Sequence, residues 1–178
     1  MDLKQHFELL ARYNQWMNSS VYASAQSLPD VELTRNRNAF FKSIVGTLNH
    51  IMVGDLVWLG RFAKHTTEFE LLNRLSQWPQ PQALDQVLFT HINALAQARQ
   101  QLDDIIIEFV ETLQASHLQS DLNYHNMRGE VQRKNFGMVL QHFFNHQTHH
   151  RGQVTTLFSQ LGIDVGVTDL LVLIPDAD

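Results

Sequence analysis

Apolar residues recur along this chain at intervals of three and four over four long stretches, the signature of helices that each turn one face to a core. Leu3, Phe7, Leu10, Met17 and Val21 set the first stripe, which predicts a helix from about residue 2 to 27, ended by Leu28-Pro29-Asp30. After a polar loop from Thr34 to Asn38, a second helix is expected from about Ala39 to Lys64. Ile44, Leu48, Ile51, Met52, Leu56 and Leu59 help make it apolar on nearly every side, so it should be buried. His65 to Gln80 carries no such period and ends in Trp78-Pro79-Gln80-Pro81. Pro81 suits the first turn of a third helix, which Leu84, Leu88, His91, Leu95, Leu102, Ile105 and Phe109 carry to about residue 114. On that stripe His91 reads as a core histidine. Between 117 and 136 Leu122 and Tyr124 alternate with polar residues, and Asn126-Met127-Arg128-Gly129 has turn chemistry, which predicts a short β-hairpin. A fourth helix runs from about Phe136 to Leu161 and stops at Gly162. The apolar tail, Asp169 to Pro175, is expected to pack against the helices.

Four long amphipathic helices predict an all-α fold, a four-helix bundle with a short β-hairpin before the last long helix. At 178 residues the chain reads as a single domain, 1–178, large enough for a core without staples. Hydrophobic residues make up 44% and charged residues 17%, a globular balance. The net charge of −5, with no block of like charge, argues against a nucleic-acid partner. There is no cysteine, so disulfides and thiolate ligands are excluded and any metal must be held by imidazole and oxygen. No leader-like start and no membrane-length apolar run is present, which predicts a cytoplasmic protein with no membrane partner.

Polar residues on the apolar stripes carry the candidate chemistry. On the fourth helix Phe143, His146, His150, Val154 and Leu157 share one face, so two imidazoles a turn apart stand where apolar side chains belong. They are either core histidines hydrogen-bonded to backbone or carboxylate, or two ligands of one ion. No Glu follows the first histidine, so this is not the His-Glu-x-x-His motif, and a third ligand must come from elsewhere. His50 on the second helix, with Gly46 and Gly54 four residues to either side, is the candidate; the glycines read as a thin wall beside an ion or as close helix packing. Asp55 lies about 140° round the helix from His50 and is not expected to ligate. His142 is about 12 Å along the axis from His150, too far for both to share an ion at bonds of about 2.1 Å, and His149 should point away. Asn14, a polar member of the first stripe, is either a satisfied core amide or part of the lining of a metal-side pocket; Trp58 is a second pocket candidate.

The run from Asn145 to Gln153 resembles the His-x-x-x-His-Arg-Gly-Gln signature of the DinB family of four-helix proteins, distinct from the larger DNA polymerase of the same name. His50 within Gly46-Thr47-Leu48-Asn49-His50 matches the family's remaining histidine. Tyr13-Asn14-Gln15-Trp16, the Asp55…Trp58 pair and Asp169-Leu170-Leu171 extend the resemblance over essentially the whole chain. It implies up-down-down-up connections, a homodimer, and a divalent ion, zinc or nickel, held by His50, His146 and His150. The wider superfamily includes transferases and isomerases that use low-molecular-weight thiols, which makes a metal-dependent thiol S-transferase-like enzyme acting on a small molecule the leading expectation. A metal-dependent hydrolase and a non-catalytic metal-binding or stress-response protein would present the same ligands.

Overall fold

The computed structural model describes residues 2–176. Helix α1, Leu3–Gln26, starts from a reciprocal cap: the Asp2 side chain accepts from the Gln5 amide, and the Gln5 side chain accepts from the Asp2 amide. A short helix α2, Asp30–Thr34, follows Pro29. Helix α3, Ile44–Phe62, is capped by Ser43 and buries fourteen of its nineteen residues. A 3₁₀ stretch, Thr67–Gln77, tucks Phe69, Leu72 and Leu75 into the core. Helix α4, Ile92–Glu111, and short α5, Ala115–Gln119, lead into an antiparallel hairpin of β1, Asp121–His125, and β2, Val131–Asn135, in the register Asp121↔Asn135 to His125↔Val131. Asn135 caps α6, Phe136–Ser159, and Gly162, three residues past its end, lies in the left-handed region (φ 72°).

Side-chain pairs fix the helix directions. Lys4 meets Glu111 and Gln26 meets Asn93, so α1 and α4 are antiparallel. Phe7 stacks on Phe144 while Asn14 meets Arg151, so α1 and α6 are parallel. Asp55 meets Arg99 and Phe62 meets Phe109, which makes α3 parallel to α4. His50 meets His150 and Phe62 meets Phe136, which makes α3 antiparallel to α6. The order is therefore up-down-down-up, packed as a bundle. Because α3 and α4 run the same way, residues 63–91 must carry the chain back along the bundle, roughly 28 Å for a helix of this length.

Three expectations need correction. The second helix begins at Ile44, not Ala39: Asn38 and Lys42 have φ of 57° and 68°, which no helix tolerates, and their loop turns Phe41 inward toward α3. The third helix begins at Ile92, not Pro81. Residues 81–91 give their backbone groups to α3 instead: Asn49 Oδ1 accepts from the Leu88 and Phe89 amides at 2.8 and 2.9 Å, and Asn49 Nδ2 donates to the Phe89 carbonyl. His91 is the exposed N-cap of α4, not a core histidine. Finally, the tail lies against α1, with Tyr13 donating to the Thr168 carbonyl at 2.7 Å, but Leu171 and Val172 stay exposed and its 3₁₀ turn, Leu170–Leu173, buries no residue.

Candidate metal centre

One turn of α6 separates His146 from His150, and both imidazoles face His50 at the middle of α3. His50 Nε2 lies 3.1 Å from His146 Nε2 and 3.2 Å from His150 Nε2. The far sides of two rings fix their tautomers. His50 Nδ1 donates to the Leu84 carbonyl at 2.7 Å, and His150 Nδ1 donates to Gln153 Oε1 at 2.8 Å. Their Nε2 atoms therefore carry lone pairs, aimed at each other with no proton between them. Burial lowers all three pKa values, His146 to about 3 with the neighbouring imidazoles adding to the effect, so the cluster is neutral at pH 7. The lone pairs of His50 and His150 repel unless a positive charge or the Nε2–H of His146 lies between them, and a cation bound by all three nitrogens is one arrangement that does so. Nitrogens bound to one tetrahedral ion at about 2.1 Å stand about 3.4 Å apart, close to the spacing found. The donor set fits a divalent metal, and among the described residues no other group of His, Asp or Glu side chains has this arrangement.

The flanking glycines serve two different contacts. A Cβ on Gly54 would come within 2.7 Å of His146 Cε1, so the ring of His146 lies directly on the backbone of α3. A Cβ on Gly46 would come within 2.2 Å of the Phe41 carbonyl oxygen. Gly46 thus lets the loop bring Phe41 over the site, where its ring stacks on His50 at 3.7 Å between centroids and meets His150 edge-on at 5.5 Å.

Beside the histidines opens a cleft of about 380 Å³ whose wall includes His50, His146, Trp58, Arg61, Tyr124 and the hairpin tip. Trp58 meets Tyr124 edge-on at 5.3 Å, and the Arg61 guanidinium lies over both rings, 4.4 and 4.8 Å from their centroids. His142 stands in the same wall rather than in the three-histidine set, 6.1 Å from His146 between ring centroids. His149 is exposed.

Asn14 is not among the residues lining this cleft. It is a buried amide, donating to Asp103 Oδ1 at 3.0 Å and accepting from Arg151, so its place on the apolar stripe is that of a satisfied core group. Asp55 points the same way, onto Arg99, which also meets Asp103 at 2.9 Å. Burial pushes both carboxyls up while Arg99 pulls them down, and the two acids hold Arg99 firmly protonated. Arg151, next to His150, joins this network through Asn14 and Asn18, so the back of the ligand helix is fastened to α1. Phe41, Leu84, Arg61 and Tyr124 were not singled out from sequence. Trp58 and Arg61 at i, i+3 on one helix were the available signal, since that spacing stacks a guanidinium on an indole.

The sequence model of the DinB family matches residues 1–176. Protein DinB of Bacillus subtilis (strain 168) is 26% identical over 160 residues, covering 90% of this chain and 88% of that protein. No solved structure matches.

Proposed function

The chain belongs to the DinB family, and from that premise we propose that it is a cytoplasmic, divalent-metal-dependent enzyme of thiol S-transferase-like type, with His50, His146 and His150 holding zinc or nickel. The observation that carries turnover rather than storage is the cleft: about 380 Å³ of space borders two of the three histidines, room for a small-molecule substrate beside an open coordination position. A metal bound there supplies a positive charge that lowers the pKa of an incoming thiol or water toward neutrality. The chain's own residues do the rest. Leu84 and Gln153 hold the rings of His50 and His150 in the tautomer that offers Nε2. Phe41 covers one face of His50, and Trp58 and Tyr124 line one wall of the cleft with aromatic rings. A low-molecular-weight thiol is the proposed co-substrate; a hydrolase would use the same centre with water as nucleophile.

Elemental analysis of the purified protein and of His50→Ala, His146→Ala and His150→Ala tests the ligand set. About one equivalent of metal is expected in the parent and none in the variants; full occupancy after any one substitution removes that residue. Bacterial thiols offered with monochlorobimane test the reaction, with conjugate expected only from metal-loaded protein. Stoichiometric metal without turnover of thiol or ester favours a non-catalytic metal-binding protein. A homodimer is proposed from the family resemblance, and it must use faces other than α3, whose apolar circumference is buried within one chain. Light scattering that reports a monomer sets the dimer aside.

A further inference from the structure

Arg61 sits in the last turn of α3, half-buried, with its guanidinium over the faces of Trp58 and Tyr124. Among the described residues it makes no hydrogen bond and no ion pair, whereas Arg35, Arg37, Arg74, Arg99 and Arg133 each meet a carboxylate. Arg12 and Arg128, which also lack one, are exposed, and Arg151 donates to Asn14 and Asn18, so among the described residues Arg61 is the arginine withdrawn from water without a polar partner. The cleft repeats it: Arg61 and Arg128 contribute to its wall, and no Asp or Glu does. An adjoining cavity that shares Trp58, Tyr124 and His142 adds Lys134 and again no carboxylate. Burial lowers the pKa of Arg61, so this cation is partly stripped of water without a protein anion to compensate. Stacking on two rings repays some of that cost and, because the rings occupy the flat face, leaves the N–H edge free for bidentate contact.

We propose that the cleft takes a small molecule bearing an anionic group, carboxylate or phosphate, that Arg61 receives that group, and that the molecule's reactive end lies at the three histidines. The proposal rests on the metal-centre reading for the direction in which the molecule lies. Seven residues of α3 separate Gly54, beneath His146, from Arg61, a rise of about 10 Å, so anion and reactive group should be separated by a short chain and not be adjacent atoms. Arg128, exposed at the hairpin tip, adds positive charge at the mouth and Arg61 supplies the fixed contact.

Isothermal titration of nickel-loaded protein with mercaptohexanoate, mercaptohexylphosphonate and uncharged mercaptohexanol tests this. In the parent both anions should bind about tenfold or more tightly than the alcohol, as a charge-assisted fork contact implies. Arg61→Gln should erase that preference while the Kd for mercaptohexanol stays within about twofold; Arg61→Lys, which keeps the charge and loses the fork, should retain part of it. Melting curves check that each variant is folded, and Arg61→Lys carries the test where Arg61→Gln is not. Equal affinity for anion and alcohol in the parent, or a preference that survives Arg61→Gln, overturns the proposal. The same titration after chelation separates the two readings. An Arg61-dependent anion preference in metal-free protein supports Arg61 whatever becomes of the metal centre. Tight, metal-dependent binding of mercaptohexanol with no anion preference supports the centre and overturns the role of Arg61. Absent thiol turnover with the preference intact removes only the transferase reading.

Discussion

Gly54 has no side chain because the ring of His146 lies where one would be. Helix propensity alone favours alanine there by about 1 kcal/mol. Gly54→Ala should therefore separate two quantities: the Cβ displaces His146, so nickel affinity falls by tenfold or more, while the helix itself is not weakened. A nickel titration beside thermal melts of the metal-free forms reads both, and unchanged affinity would show that His146 can move at no cost. The histidines also set a pH dependence. The unfolded imidazole titrates near 6.5, whereas His146 in the folded chain is lowered to about 3 and His50 and His150 are lowered too. The unfolded state then binds more protons in between, so the stability of the chelated protein is full above about pH 6.5 and declines as pH falls toward 3. Urea titrations at neutral pH and at about pH 5 should differ in that direction. Gln147, buried beside Arg151 on α6, accepts from the Arg151 guanidinium through its Oε1.

At the scale of elements, the bundle is held on one side by aromatic packing and on the other by charge. Phe62, Phe109 and Phe136 meet at 5.2 to 5.9 Å near one end, while Arg99 binds Asp55 of α3 and Asp103 of its own helix inside the core. Arg99→Leu would leave two buried carboxyls without their cation, and a loss of about 3–5 kcal/mol in urea unfolding is expected. A loss below about 1 kcal/mol would mean that the acids take up protons in the folded chain at little cost. The four long helices and the hairpin are legible in the sequence because periodicity is a local property, and so is the His146–His150 clip. The ends of α3 and α4 are not. Leu84 and Leu88 continue the α4 stripe by spacing, yet their segment is held by Asn49 and His50, some 34 to 39 residues earlier, and no local pattern records that. Asn14 stays open in the sequence for the same reason: a polar residue on an apolar face announces a partner without saying whether it is Asp103 or a substrate.

For the whole molecule, no described helix is long and apolar enough to cross a membrane, and the core spans all four long helices. Removing the metal from such a bundle should lower Tm and leave helical content largely in place, because the apolar stripes remain buried when the ligands are empty. Circular dichroism during chelation at neutral pH measures this. Complete unfolding would make the ion structural, and no shift in Tm would place it outside the core.

The ligand set joins residues 96 and 100 positions apart, on helices that meet only when the bundle has closed. That separation orders events in time. Contacts between such distant segments are costly to form, so we expect the three nitrogens to converge late in folding. An ion held there would act as a latch on a finished structure and not as a nucleus for it. In stopped-flow experiments nickel should leave the refolding limb of the chevron where it is and slow the unfolding limb. A newly made chain would likewise complete this cluster only after α6 has emerged and docked on α3.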